Sequence, residues 1–98
     1  MVQYEVALIL RSVPTAELSQ LLKKTLSVVL DQGAVLRKVE NLGERQLPYR
    51  MRAHSKYFQD GRYLVFNMDA SPQMAITIRN KLRANADTIR TTLLKGGA

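Results

Sequence analysis

The sequence contains no cysteine and a single histidine, His54, among its 98 residues. Without cysteine the chain can form neither a disulfide bond nor a thiolate nucleophile, and one histidine cannot complete a zinc site of the usual Cys and His type. We therefore expect no metal and no cofactor. Long apolar stretches are also missing, because the longest run, residues 6–10, is far shorter than the ~18 residues of a membrane span. No membrane partner is expected.

Acidic residues are scarce as well. The chain has 8 Asp and Glu against 15 Lys and Arg, which gives a formal net charge of +7. An excess of this size favours a polyanionic partner, with nucleic acid ahead of a membrane surface. The other proportions are ordinary, with 46% hydrophobic and 23% charged residues. A chain of this length can bury one core but not two, so we expect a single domain over residues 1–98.

Hydrophobic periodicity predicts the elements of the first half of the chain. Alternation indicates a strand at residues 3–11, and apolar residues at three- and four-residue spacing then indicate a helix that ends at a left-handed Gly33. A second strand begins at residues 34–39, where the spacing of apolar positions predicts a bulge or a strong twist. It continues past a second irregularity at Gly43 to Pro48, which cannot donate a ladder hydrogen bond and therefore predicts an edge strand.

The second half of the chain is predicted to contain a strand, a helix and a final strand. The dipeptide at 60–61 (Asp-Gly) predicts a turn, followed by a third strand antiparallel to the second in a long hairpin. Ser71 and Pro72 begin a second helix, residues 89–94 form the last strand and residues 95–98 a frayed end. This order predicts an α+β, ferredoxin-like fold, in which a split β-α-β arrangement packs two helices on one face of a four-stranded antiparallel sheet.

The segment from Arg45 to Gln59 is the main candidate for function. It carries four cations and one histidine without a carboxylate, interleaved with Tyr49, Tyr57 and Phe58. Arginine and lysine bind phosphates and aromatic rings stack on unpaired bases, so this composition favours RNA contact over a merely solvated surface. The predicted RNA-binding residues are Arg45, Arg50, Arg52, His54 and Lys56, with Arg37, Lys38 and Arg90 as further candidates.

Two residues of this segment have alternative interpretations. His54 is either an ordinary exposed residue of a basic hairpin or a hydrogen-bonding or stacking contact with RNA. Tyr49 either packs beneath the hairpin beside Pro48 or stacks on a base. The sequence leaves both choices open.

The face of the sheet opposite the helices is a second candidate site. If Tyr4 and the residues that alternate with it face the helices, the outward face carries a group of apolar side chains. Its members are Ala7, Ile9, Tyr63 and Val65. Exposed apolar groups often mark partner surfaces, so we expect a protein partner here, the alternative being a surface patch of ordinary size.

Enzymatic interpretations find little support. Acylphosphatase-like hydrolases of similar topology cradle phosphate in a glycine-containing loop after the first strand, whereas residues 11–14 (RSVP) contain a proline and no glycine. Arg11 is therefore predicted to be a solvated strand-end charge, and we expect no enzyme activity and no small-molecule substrate. An RNA-recognition-motif domain is the other alternative, but residues 60–67 (DGRYLVFN) lack that motif's order of basic, glycine and aromatic residues.

Residues 40–51 (ENLGERQLPYRM) resemble the middle segment of the small-subunit ribosomal protein six family, and look more like its animal mitochondrial members than its bacterial ones. The resemblance extends more weakly to residues 4–6, 33–34 and 89–95. It implies a ferredoxin-like fold, no catalysis and a place in the central platform of the small ribosomal subunit, bound to rRNA together with small-subunit ribosomal protein eighteen. It also implies a ribosome-bound location in the mitochondrial matrix, a role in translation and no functional homo-oligomer.

Overall fold

The chain folds in the order strand, helix, strand, strand, helix, strand in a computed structural model that describes residues 2–96. The elements are β1 (Val2–Leu10), α1 (Thr15–Asp31), β2 (Val35–Ala53), β3 (Lys56–Ala70), α2 (Pro72–Ala84) and β4 (Thr88–Lys95). The four strands form one antiparallel sheet in the order β2-β3-β1-β4. The predicted ferredoxin-like architecture is confirmed. The predicted frayed end is wrong at its first two residues, because Lys95 belongs to β4 and the N–H of Gly96 donates to the carbonyl oxygen of Gln3 at 2.9 Å. Residues 97–98 lie outside the described range.

The core lies between one face of the sheet and the two helices. Along β1 every second side chain is buried, from Tyr4 at 7% exposure to Leu10 at 0%. The larger side chains packed with these two residues are Val6, Leu8, Leu21, Val29, Leu64, Phe66, Met68, Ile78 and Leu82. Because Tyr4 belongs to this core, as predicted, β1 presents no stacking aromatic on its outer face, which argues against the RNA-recognition-motif alternative.

Local sequence explains where the helices begin and end. The backbone N–H of Met74 donates a hydrogen bond of 3.2 Å to the hydroxyl of Ser71, and Pro72 occupies the first turn of α2, where no N–H is needed. At the end of α1, Gly33 adopts a φ of +83° and its N–H donates to the carbonyl of Leu30 at 3.0 Å. The helix signals predicted from the sequence are therefore confirmed at both places.

β2 is an irregular edge strand, which confirms the prediction made from Pro48. Its pairing with β3 changes register at three points, which are Leu36/Lys38, Asn41/Gly43 and Gln46/Met51. The first two agree with the predicted bulge and with the irregularity expected at Gly43. The third is the widest, because it leaves residues 47–50 of β2 opposite Gln59 alone. Pro48 lies inside this gap, where its missing N–H costs no ladder hydrogen bond.

The predicted turn between β2 and β3 is wrong. The chain reverses at His54 and Ser55, whose φ angles are +53° and +65°, whereas Asp60 and Gly61 lie inside β3. A two-residue turn with positive φ at both positions matches the twist of the flanking strands and closes the hairpin tightly. The sequence misled because Asp-Gly is a common signal for this turn and His-Ser is not.

Gly61 serves packing and not chain reversal. A Cβ atom at this position would lie 2.7 Å from the Cγ2 of Ile9 and 3.0 Å from the carbonyl oxygen of Leu10. Both distances are shorter than van der Waals contact, so β3 approaches the end of β1 closely only because this residue has no side chain.

Gly61→Ala is expected to lower the free energy of unfolding by about 1–3 kcal/mol, because the new methyl group overlaps the end of β1. Denaturant unfolding of the variant and the parent measures the difference. Gln59→Ala, two residues earlier on the same strand and exposed, is the control and should change stability by less than about 0.5 kcal/mol. Equal stability of Gly61→Ala and the parent would contradict the close packing.

Candidate nucleic-acid interface

The hairpin of β2 and β3 extends beyond the rest of the sheet. The pairing of β3 with β1 begins only at Arg62, so the residues between the turn and Arg62 have β2 as their strand partner. The tip contacts the start of β4, where the Nε2–H of His54 donates to the carbonyl oxygen of Thr88 at 2.9 Å. This contact holds the hairpin against the body of the domain although β1 does not reach it.

The hydrogen bond of His54 bears on its alternative interpretations. Because a carbonyl oxygen can only accept, Nε2 carries the proton and is engaged within the chain. Together with its positive φ in the turn, this contact gives His54 a structural role in closing the hairpin. The side chain is exposed, so its contact with RNA stays a prediction, made through the other ring nitrogen or the ring face.

Arginine side chains of the hairpin and of β4 lie over tyrosine rings. Four such pairs occur, with the guanidinium carbon 4.4 to 5.9 Å from the ring centroid, within the range of cation–π attraction. The pairs are Arg45 with Tyr63, Arg50 and Arg52 with Tyr57, and Arg90 with Tyr49. The sequence predicted the arginines as a basic cluster but not their pairing with rings, which depends on the register of β2 against β3.

Strand alternation places these pairs on the outer face of the sheet. Tyr57 and Tyr63 lie at odd-numbered positions of β3, whereas the core residues Leu64 and Phe66 lie at even-numbered ones. Arg52 is directly opposite Tyr57 in the ladder and therefore shares its face. The predicted RNA-binding arginines of the hairpin thus lie opposite the helical layer.

Tyr49 is exposed, and packing beneath the hairpin is ruled out by its 55% exposure. Its hydroxyl accepts a hydrogen bond of 2.9 Å from the Nη1 of Arg90 on β4. Because Tyr49 lies in the register gap of β2, the bulge lets it reach a strand that is not a ladder neighbour of β2. Arg90, a separate candidate in the sequence, is thereby brought to the same surface as the hairpin.

The positive charge of the hairpin is not neutralised within the described part of the chain. Four exposed hairpin cations have no carboxylate within ion-pair distance there, and they are Arg45, Arg50, Arg52 and Lys56. The candidates at the start of β2 differ. Arg37 donates from Nε to Asp69 at 2.6 Å and Lys38 lies 2.7 Å from a Glu40 oxygen. The hydrogen bond with Glu40 and the charge of that carboxylate raise the pKa of Lys38 above its usual value.

The apolar residues predicted on the outer face come together in the sheet. Ala7 lies directly opposite Val65, and Ile9 lies opposite Tyr63, so the four form one block across β1 and β3, the open-face patch. All four side chains are partly exposed. The patch is bordered by polar neighbours in the ladders: Glu5, Glu40, Asn67, Arg90 and Thr92.

The loop after β1 offers no phosphate cradle. Arg11 follows the end of β1 and its side chain is 42% exposed, as expected of a strand-end charge, but its guanidinium also forms an ion pair with Asp87, 76 residues away, which the sequence did not predict. The hydroxyl of Ser12 donates to a carboxylate oxygen of Glu44.

Among residues 2–96, no three His, Cys, Asp or Glu side chains come together to hold a metal ion, and no helix is long and apolar enough to cross a membrane.

Comparison with known proteins identifies the family. The family model described as Ribosomal protein S6 matches residues 3–95. The chain belongs to the ribosomal protein S6 family. It is 41% identical to the small ribosomal subunit protein bS6m of Bos taurus, over 97% of this chain and 77% of that protein. It is 35% identical to the bS6m of Gallus gallus, over 97% of this chain and 78% of that protein.

A solved structure agrees on the fold. The crystal structure of 30S ribosomal protein S6 from Thermotoga maritima matches with a TM-score of 0.82 at 23% identity, over 97% of this chain and 87% of that one. The resemblance to animal mitochondrial members and the location at the mitochondrial ribosome are confirmed by the bS6m relatives. The chain is a structural protein of the small ribosomal subunit and not an enzyme, so the acylphosphatase-like alternative and the free-standing RNA-recognition-motif alternative are both wrong.

Arg11→Ala is expected to affect stability and no catalytic activity. Loss of the charged hydrogen bond to Asp87 should lower the free energy of unfolding by about 1 kcal/mol, measured by denaturant unfolding. Lys23→Ala removes an exposed α1 cation without an ion-pair partner in the described chain, and as the control it should leave stability nearly unchanged. Turnover of an acyl phosphate by the parent that disappears in Arg11→Ala would contradict this assignment.

Proposed function

We propose that this chain is a single rRNA-binding domain that supports mitochondrial translation by binding small-subunit rRNA together with ribosomal protein eighteen. The observation that carries the proposal is the set of hairpin cations without carboxylate partners, three of which lie over exposed or partly exposed tyrosine rings. A domain that does not bind a polyanion gains nothing from concentrating positive charge on one hairpin, because like charges repel. The proposed domain covers residues 1–98.

The chemistry of the hairpin suits rRNA. Planar guanidinium groups donate to phosphate oxygens and base edges, and Lys56 adds a point charge near the turn. Sequence-specific recognition of RNA mostly involves unpaired loops and bulges whose bases can stack on aromatic or guanidinium planes. The guanidinium groups of the Arg–Tyr pairs supply such planes, so phosphates set the affinity and exposed bases of an irregular rRNA segment add specificity.

The partner protein is proposed to contact the open-face patch. An apolar block in the middle of an uncovered sheet face is suited to burial by another protein, and its polar border resembles the rim of an interface. Arg45 lies 5.7 Å from the ring centroid of Tyr63, so the basic hairpin and the open-face patch adjoin. Protein eighteen and rRNA can therefore bind side by side on one face of this domain, which supports joint rather than separate binding.

The remaining candidates have a smaller part in the proposal. Arg90 joins the hairpin surface through Tyr49, and we include it among the rRNA contacts. Arg37 and Lys38 already have carboxylate partners, so binding of phosphate there requires exchange of Asp69 or Glu40. We expect these two residues to contribute less to affinity than the hairpin cations.

Replacement of the four hairpin cations by glutamine is expected to weaken rRNA binding. Each lost phosphate contact lowers the slope of log affinity against log salt by about 0.7–0.9, so the change approaches three units if all four make contact. The measurement is binding of an rRNA fragment at several salt concentrations with protein eighteen present. The free energy of unfolding should change by less than about 1 kcal/mol, because these charges are exposed.

The matched control removes four cations from the helical layer instead, namely Lys23, Arg79, Lys81 and Arg83. These residues have no ion-pair partner in the described chain either, so both variants lose the same formal charge. A similar loss of slope in both variants would show that binding follows net charge alone, and an unchanged slope in the folded hairpin variant would refute the proposed rRNA site.

Val65→Asp is expected to weaken binding of protein eighteen by at least tenfold while leaving the domain folded, because a desolvated carboxylate without a partner would lie in the interface. Titration calorimetry against protein eighteen and a melting curve measure the two effects. Ile76→Asp places the same charge at an exposed aliphatic residue of α2, on the helical side of the sheet, and should bind as the parent does. Equal binding by Val65→Asp would make the open-face patch ordinary surface.

A further inference from the structure

We propose that two exposed tyrosines of the hairpin, Tyr57 and Tyr49, are positioning residues that hold arginine side chains in place to bind RNA. This inference rests on the proposed function, because it concerns how the rRNA-binding arginines are arranged before RNA arrives. It assigns the tyrosines a role through the arginines and not through direct contact with a base.

Tyr57 is placed to order two arginines. Its side chain is 59% exposed, so the ring contributes little to any core. The guanidinium carbon of Arg50 lies 4.4 Å from the ring centroid and that of Arg52 lies 5.8 Å from it. Arg52 is the direct ladder partner of Tyr57, and Arg50 lies in the adjoining register gap of the same strand. One ring therefore serves as a platform for two neighbouring cations.

Stacking on a ring makes an arginine a better RNA ligand in two ways. A free arginine side chain samples many rotamers, and immobilising such a side chain on binding costs free energy. A guanidinium already held on a ring loses less freedom when it meets a phosphate. A guanidinium that stacks on a ring through its flat face also keeps the N–H groups on its edge free to donate.

Tyr49 performs the same task for Arg90 by a different geometry. Its hydroxyl accepts from the Nη1 of Arg90 at 2.9 Å, while the ring centroid lies 5.9 Å from the guanidinium carbon. The two residues are 41 positions apart in sequence, and the register gap at residues 47–50 is what lets Tyr49 reach β4. The hydrogen bond occupies one N–H of Arg90 and leaves the other N–H groups of the guanidinium as donors for RNA.

The first test compares Tyr57→Leu with Tyr57→Phe in binding of an rRNA fragment over a range of salt. Tyr57→Leu should weaken binding by about two- to fivefold, because Arg50 and Arg52 would then lose their side-chain freedom only when RNA binds. Its salt slope should match that of the parent, because no charge is lost. Tyr57→Phe keeps the ring and should bind within about twofold of the parent. Parent-level binding by Tyr57→Leu would overturn the inference.

A double-mutant cycle separates positioning from direct base stacking. If Tyr57 acts through its two arginines, Tyr57→Leu should have no further effect once Arg50→Gln and Arg52→Gln are present. If the ring itself stacks on a base, the same loss should appear in that background too, and the positioning role would be overturned. Arg50→Lys with Arg52→Lys should keep the salt slope but lose affinity, because ammonium groups do not form the planar stack.

A measurement without RNA keeps this inference distinct from the proposed function. In the free protein, NMR relaxation of the arginine Nε–H groups should show Arg50 and Arg52 more ordered in the parent and in Tyr57→Phe than in Tyr57→Leu. Tyr49→Phe, which removes only the hydroxyl, should likewise loosen Arg90 and weaken rRNA binding by about twofold. Weak binding by the arginine variants together with parent-level binding by Tyr57→Leu and Tyr49→Phe would overturn this inference alone. Full binding by the arginine variants would overturn the proposed function as well.

Discussion

Burial of one face of the β1–β3 pair against the two helices is the interaction on which the rest of the structure depends. Phe66, Leu8 and Leu64 are at most 1% exposed, and each such side chain contributes about 1.5–3 kcal/mol when it leaves water. Both helices lie on this face, so the other face of the same two strands stays uncovered. The uncovered face carries the open-face patch and adjoins the arginines of the hairpin, and its availability follows directly from the one-sided core.

The second constraint on the structure is the length of the hairpin, because β2 and β3 extend beyond the end of β1. β1 ends at Leu10, and beyond that point β3 pairs only with β2. An isolated two-stranded ribbon is marginally stable in water, so a long free hairpin needs tertiary support. His54 and Tyr49 provide it through hydrogen bonds to β4. Leu47 and Met51 are each 6% exposed although they lie outside the main core cluster, which indicates local packing beneath the hairpin.

The sequence predicted those features that depend on local chemistry. Helix starts and stops at Ser71, Pro72 and Gly33, the edge position of Pro48 and the two-sided pattern of β1 all follow from backbone hydrogen bonding and side-chain period. The pairing of β2 with β3 could not be predicted residue by residue, although two of its three irregularities were. The Asp-Gly dipeptide at 60–61 displaced the expected turn by six residues, and with the turn misplaced no argument could bring Arg52 opposite Tyr57.

For the candidate site, the sequence predicted which segment carries the charge but not which side chains contact each other. The composition of residues 45–59 identified the basic hairpin, because charge and aromatic content are visible without a fold. The link between Tyr49 and Arg90 was not visible, since it joins residues far apart in sequence across a bulge whose size only the register sets. The ion pair of Arg11 was not predicted for a similar reason. Its partner Asp87 belongs to the loop between α2 and β4, and nothing in the local sequence indicates that this loop lies beside the end of β1.

Because side chains alternate between the two faces of a strand, one set of β3 residues stabilises the core and the other set is available for binding. Even-numbered residues of β3 from Leu64 to Met68 lie in the core, whereas Tyr57, Tyr63 and Val65 on the odd-numbered side reach the outer face. A slip of one residue in the pairing of β3 would exchange the two sets and bury charged and polar groups, so the core that stabilises the fold also fixes which side chains face a partner. Substitutions on the outer face can therefore change binding while the core stays intact. Gly61 is different, because a Cβ atom there would lie 2.7 Å from the Cγ2 of Ile9, a residue of the open-face patch.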